Sequence, residues 1–335
     1  MTRLFMSGAE AGTTDVWTAI WGATVSTVQK RTGAYSFYLS DGNYSTKFLW
    51  ATDPTVLYFR FGIRPTGFYG GWRVILLLEN AGAGQCYLGA DVTGTLSVYR
   101  VGSGTPLATA VHPLAVNAWQ CVEWYIKIGT GTDGETTLKI DGATEILETG
   151  LNTQGSGIAG ARGFGLGYIL WGGYSQAGYY DDIAVNDNAG AVNNSWIGRG
   201  GIYPVFPEGV GAYTDLHAFG HANPWDCISE VPPDDADYVY DDTVDQKSVY
   251  AMSALVPTTG TIACINVIMR AKLDAAGTGN IARLIRSNGV DSQGADVGLD
   301  TSPKTIQENI ETDPSGGGAW TIARVNALEA GATVR

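Results

Sequence analysis

The stretch Trp119-Gln-Cys-Val-Glu-Trp-Tyr-Ile-Lys-Ile128, the loop Gly129-Thr-Gly-Thr-Asp-Gly134 and the run Thr136-Thr-Leu-Lys-Ile140 decide the fold class. Two runs rich in aromatic and β-branched residues, separated by a glycine loop, predict a β-hairpin, and Asp141-Gly142 supplies the next tight turn. The same texture recurs on both sides. Strands are predicted at Tyr35–Leu39, Val56–Ile63, Trp72–Leu78, Gln85–Ala90, Leu96–Tyr99, Phe164–Leu170 and Tyr179–Val185. Many short strands with a turn signal every few residues predict an all-β fold, an antiparallel sandwich.

Composition agrees with strands and turns. The chain has 335 residues with 46 glycines, only 16% charged residues and 11% aromatics. Glycine is about twice its usual share and charge well below the usual quarter. The aromatic content excludes disorder, and the lack of a G-X-Y period excludes collagen. Net charge is −13, and the 20 Lys and Arg are scattered singly, so no direct nucleic-acid binding is expected. No apolar run approaches the roughly 18–20 residues of a membrane-spanning helix. Met1-Thr-Arg-Leu-Phe-Met6 lacks a signal-peptide pattern, which predicts synthesis in the cytoplasm without export by the general secretory route. Cys86, Cys121, Cys227 and Cys264 lie far apart and are expected to be buried free thiols.

Between Asn186 and Gly211 the sequence turns to Asn, Gly and Pro with isolated aromatics. This sets the expected organisation: a sandwich domain over 1–190, a linker over 191–212, and a smaller β-rich domain over 213–335. The second domain has predicted strands at Ser248–Met252, Thr261–Ala271 and Ile281–Ser287. It also has one short helix, capped by Thr321, carrying Ile322, Val325 and Leu328 on one face and stopped by Gly331.

Motifs for chemistry are sparse. The glycine loops Gly129–Gly134 and Gly155–Gly160 lack the strand-then-helix setting of a dinucleotide site. No G-x-S-x-G elbow occurs. Glu311-Thr-Asp313 is the nearest match to the paired carboxylates of a sandwich glycosidase, but Pro and Gly beside it predict a turn. Asp215, His217, His221 and Asp226 are a weak metal-ligand set, since Gly220 and Pro224 argue against a helix aligning the histidines. No catalytic constellation emerges, and a non-enzymatic protein is expected.

Three groups remain as candidate sites. Asp181, Asp182, Asn186 and Asp187 place several oxygens close together, as calcium requires; regular strand alternation, however, would send Asp181 and Asp182 to opposite faces. Calcium is the one cofactor these residues suggest. Asp234, Asp235, Asp237, Asp241 and Asp242 form an acidic run that is either a solvated loop or a contact for a basic partner. Trp72, Trp171 and Tyr174 are candidates for stacking on sugar rings.

Phe5-Met-Ser-Gly-Ala-Glu10, Tyr180-Asp-Asp-Ile-Ala-Val-Asn-Asp187 and Val192-Asn-Asn-Ser-Trp196 resemble the concanavalin A-like (laminin G-like) jelly-roll domain found in tailed-bacteriophage virion proteins. Asn223-Pro-Trp225, Glu230-Val-Pro-Pro-Asp-Asp-Ala-Asp-Tyr-Val239 and Asp313-Pro-Ser-Gly-Gly-Gly-Ala-Trp-Thr321 are similar to the module that commonly follows it. The resemblance implies a virion structural protein: a capsid decoration protein, head fibre or tail-associated component. Such a protein would oligomerise and act through interfaces with a capsid or tail lattice. Because lectins share the fold, the resemblance also implies an alternative, a carbohydrate-binding adhesin for host-surface glycan, and thirdly a glycoside hydrolase.

Overall fold

The computed structural model describes residues 3–42, 45–167 and 174–335. It is an all-β chain that divides into two compact units, residues 1–9 with 16–202 and residues 10–15 with 203–335.

The first unit is a sandwich of two mainly antiparallel sheets. Among the described residues, one sheet runs in the order Ala143–Leu151, Gly134–Ile140, Gln120–Lys127, Val56–Pro65, Gly178–Asp187, Ser36–Leu39 and Thr24–Ser26, with Arg3–Ser7 also on Gly178–Asp187. The other runs Ala108–Pro113, Thr95–Arg100, Ala83–Ala90, Arg73–Asn80, Gly163–Leu166, Ser45–Leu49 and Ala19–Trp21. Tyr174–Ser175 adds to Arg73–Asn80 in the one parallel pairing among these strands. The Gly129–Gly134 loop joins the predicted hairpin, whose strands pair from Val122↔Ile140 to Lys127↔Glu135.

Period-two patterning builds the core. Leu57, Phe59, Phe61 and Ile63 alternate inward on one strand, and Val122, Trp124 and Ile126 do so on its neighbour. The register sets Phe61 beside Val122 and Phe59 beside Trp124. Phe164, from the opposite sheet, meets Phe5 edge-on at 5.3 Å and Phe59 at 5.6 Å, with Trp17 at 5.5 Å and Trp50 at 6.0 Å. Aromatic rings from both sheets thus close the sandwich through one contact group. Cys86, Cys121 and Cys227 are buried free thiols, and Cys264 is a half-buried one.

In the second unit, Pro207–Thr214, Lys247–Met252, Glu329–Val334, Asn280–Ser287 and Val290–Gln293 form a sheet, with Val297–Gly298 also on Asn280–Ser287. Two ribbons accompany it, His217–Phe219 with Tyr238–Tyr240 and Ile265–Ala271 with Lys304–Ile310. Its small core gathers Ile285, Trp320, Val325 and Leu328. The expected helix is one turn, Ile322–Val325, with the Thr321 hydroxyl accepting from Arg324 N at 3.2 Å. Gly331 does not stop it. That glycine lies inside the strand Glu329–Val334, where a Cβ would overlap the Ser248 carbonyl oxygen of the adjacent strand.

The convergence of rings on Phe164 predicts that Phe164→Ala lowers unfolding free energy by about 3–5 kcal/mol, measured by urea denaturation. A loss under about 1 kcal/mol would show that the two sheets are held together elsewhere.

Candidate functional site: an aromatic platform at the end of one sheet

The platform is built around Arg73, the first residue of the strand Arg73–Asn80. Its guanidinium grips the Asp41 carboxylate, Nε donating to Oδ1 at 2.7 Å and Nη2 to Oδ2 at 3.4 Å. Nη1 donates back to the Gly70 and Trp72 carbonyls at 3.2 and 3.3 Å. This closes the turn before the strand, where Gly71 has φ +101°, a conformation that other residues rarely adopt. A fork-shaped donor with several fixed acceptors is geometrically rigid.

Trp72 lies over strand Ala83–Ala90. Gly89 makes room for it, because a Cβ there would come within 2.9 Å of the indole. The indole meets Tyr99 edge-on at 4.4 Å, and Tyr99 is stacked on Tyr87 at 4.9 Å. Burial, then the neighbouring Tyr87, pushes the Tyr99 phenol up to about 12, so it stays protonated at neutral pH. Tyr174 pairs in register with Arg73, whose guanidinium carbon sits 4.8 Å from the tyrosine ring centre. The next residue, Ser175, anchors this strand to the turn bearing Asp41, its hydroxyl donating to the Ser40 and Gly42 carbonyls at 2.9 Å each.

Two rings near the start of this strand remain open to solvent, Tyr174 held on the Arg73 guanidinium and Trp72 held on Tyr99: Trp72 is 40% exposed and Tyr174 50%. The Asp41 side chain is 38% exposed, leaving an acceptor at the rim. Flat apolar faces beside a fixed carboxylate and guanidinium can bind a ligand that has both C–H faces and hydroxyls. Of the predicted stacking residues, the structure places Tyr174 on Arg73 and Trp72 on Tyr99, while Trp171 lies outside the described residues. Asp41 and Arg73 carry no motif.

The oxygens offered to calcium have other partners. A bulge between Asp181 and Ala184, with Asp182 at φ +53°, breaks the alternation that would have sent the two aspartates apart. Both reach the same segment. Asp181 accepts from Arg31 N at 2.7 Å and Thr32 N at 3.2 Å. Asp182 pairs with the Arg31 guanidinium at 2.5 Å and accepts from the Thr32 hydroxyl and Ile202 N, each at 2.5 Å. Arg60, itself buried, donates to the Gly200 carbonyl at 2.6 Å, so the chain over 200–202 is clamped onto the sandwich. Asn186 accepts from Arg3 at 2.6 Å, and Asp187 caps Ala189 N at 2.9 Å. An arginine thus occupies the place that the calcium reading gave to a cation. Among the described residues, no group of three or more His, Cys, Asp or Glu is placed to hold a metal.

That finding also covers the Asp215, His217, His221 and Asp226 set. Asp215 accepts from Lys247 N at 3.2 Å, while His217 and His221 face Asp241 at 3.7 Å and Asp237 at 2.7 Å. Within the acidic run, Asp235 forms a two-point pair with Arg270, at 2.8 and 2.7 Å. Asp234 caps Ala236 N, and Asp241 and Asp242 both bond Thr243. Asp313 caps the turn at Ser315 N, as its Pro-Ser-Gly setting predicted.

No family model matches the sequence, and no curated protein is significantly similar to it. Several solved structures resemble it. An endo-β-1,4-glucuronan lyase from Trichoderma reesei is 15% identical, with TM-score 0.42, covering 55% of this chain and 95% of the lyase. The alginate lyase of Aplysia kurodai is 11% identical, with TM-score 0.40, covering 55% of this chain and 99% of that one. Trypanosoma rangeli sialidase is 12% identical, with TM-score 0.36, covering 49% of this chain and 27% of the sialidase. These structures are enzymes by description. The expectation of a non-enzymatic chain does not stand, because a missing sequence motif does not exclude catalysis. The likeness is one of architecture and assigns no substrate.

The clamp has a consequence for pH. Burial, reinforced by the adjacent Asp182 carboxylate, raises Asp181 above the ordinary aspartate range. As pH rises past about 4, the unfolded chain releases this proton before the folded one does, so stability falls through that window. Asp181→Asn is expected to flatten the decline in urea midpoint between about pH 5 and pH 8, and an unchanged slope would assign the decline to other groups. With the acidic oxygens already bonded, millimolar calcium should move the thermal midpoint by less than about 1 °C, whereas a clear rise would place an ion at this clamp.

Proposed function

We propose that this protein binds carbohydrate through the platform of Trp72 and Tyr174, with Asp41 and Arg73 holding ring hydroxyls. The observation that carries this reading is the pair of solvent-open rings, each already held by a fixed partner, Tyr174 by Arg73 and Trp72 by Tyr99. An exposed ring that is already held in place loses little conformational freedom when a ligand stacks on it. Indole and phenol faces bury the C–H face of a pyranose, while the Asp41 rim accepts from its hydroxyls.

Other features support sugar over protein lattice as the ligand of this site. A protein interface requires a wide apolar area around its anchors, whereas here charged Arg73, paired with Asp41, lies against Tyr174. The setting is proposed from the sequence resemblance alone: a virion-borne sandwich would attach to host-surface glycan, and oligomerisation would multiply weak single-site contacts.

The test is affinity electrophoresis and titration calorimetry of the full chain against a panel of neutral and acidic polysaccharides, with release of reducing ends followed in parallel. Trp72→Ala and Tyr174→Ala should each weaken binding about tenfold, equivalent to roughly 1.4 kcal/mol, with no loss of thermal stability. Retention of full affinity by both variants would refute the platform. Release of reducing ends would add turnover to binding.

A further inference from the structure

The ribbon of His217–Phe219 and Tyr238–Tyr240 presents a second aromatic surface, independent of the platform. Its register pairs His217 with Tyr240 and Phe219 with Tyr238, so period two puts all four rings on one face. All four are exposed. Phe219 and Tyr238 are stacked at 4.9 Å with only 20° between ring planes, Tyr240 meets Tyr238 at 6.0 Å, and His217 lies 5.6 Å from Tyr240. The four exposed rings form one contiguous aromatic patch, with Tyr240 at 68° to Tyr238 and His217 at 50° to Tyr240, that nothing in the second unit's core uses.

One end of that surface opens onto an acidic depression. His221 follows Phe219 by two residues and Asp237 precedes Tyr238, and the two are joined at 2.7 Å. Asp226, Glu230, Asp234 and Asp235 line the depression with them. Arg270 neutralises Asp235. Among the described residues, no lysine or arginine pairs with Asp226, Glu230 or Asp234. A ligand matching both parts needs flat apolar faces for the rings and positive charge for the carboxylates.

We propose that this ribbon and depression bind an amino-sugar polymer with free ammonium groups. Its pyranose rings would stack on Phe219, Tyr238 and Tyr240, and its ammonium groups would face Asp226, Glu230 and Asp234. Linked pyranoses offer repeated C–H faces to the exposed rings, and the carboxylates of Asp226, Glu230 and Asp234, which have no basic partner among the described residues, select the free amine over its acetylated form.

The test uses the full chain at about pH 6. Glucosamine hexamer and N-acetylglucosamine hexamer are compared by titration calorimetry at low and high salt. The free-amine hexamer should bind about tenfold more tightly, and added salt should narrow the gap. Phe219→Ala with Tyr238→Ala should abolish binding of both oligomers. Asp226→Asn with Asp234→Asn, which leaves the ribbon intact, should weaken only the free-amine hexamer, by about fivefold. Trp72→Ala should change neither, separating this site from the platform. Equal binding of the two hexamers would overturn the proposal, as would binding of oligolysine with no binding of either sugar.

Discussion

Contact between aromatic side chains of two sheets governs the first unit. Phe164 projects from one sheet into a ring set supplied by Phe5 and Phe59 of the other and by Trp17 and Trp50. Because side-chain direction alternates along a strand, choosing which residues enter that core also chooses which face outward. On strand Ala83–Ala90, Cys86, Leu88 and Ala90 go into the core, so Tyr87 and Gly89 must lie on the other face, where they support Tyr99 and Trp72. The exposed Trp72 and its tyrosine support are therefore a consequence of the buried contact, carried through strand register.

Charge plays two different roles in the molecule. In the first unit, carboxylates are buried and matched: Asp182 with Arg31, and Glu79 with Lys47 at 2.9 Å. Such pairs cost desolvation and are retained where geometry satisfies every oxygen, as at the bulge that brings Asp181 and Asp182 to one segment. Around the aromatic ribbon of the second unit, several carboxylates face solvent without a basic partner. The first arrangement fixes a chain path; the second attracts ligand charge.

Strands were legible because aromatic and β-branched runs between glycine turns have few other ways to fold. Val56–Pro65 and Gln120–Lys127 appear within two residues of their expected limits. The one-turn helix was legible from Thr321, while Gly331 was misread because close strand approach and helix termination favour the same residue. The site was only partly legible. Trp72 and Tyr174 were visible as aromatics, but the contact of Tyr174 with Arg73 depends on a parallel pairing across about a hundred residues that no local pattern encodes. The bulge at Asp182 was hidden for a similar reason: an extra residue in a strand shows only against its partner. The aromatic ribbon went unnoticed because Phe219 and Tyr238 acquire their shared face through pairing alone.

Hydroxyl-radical footprinting tests the central claim most directly, since it reads the solvent exposure of each aromatic residue in the intact chain. Oxidation is compared with and without a polysaccharide that retards the protein in affinity electrophoresis. The account predicts strong protection of Trp72 and Tyr174, with the buried Trp124 unreactive in both states. Unchanged oxidation of Trp72 and Tyr174 under saturating polysaccharide would contradict it.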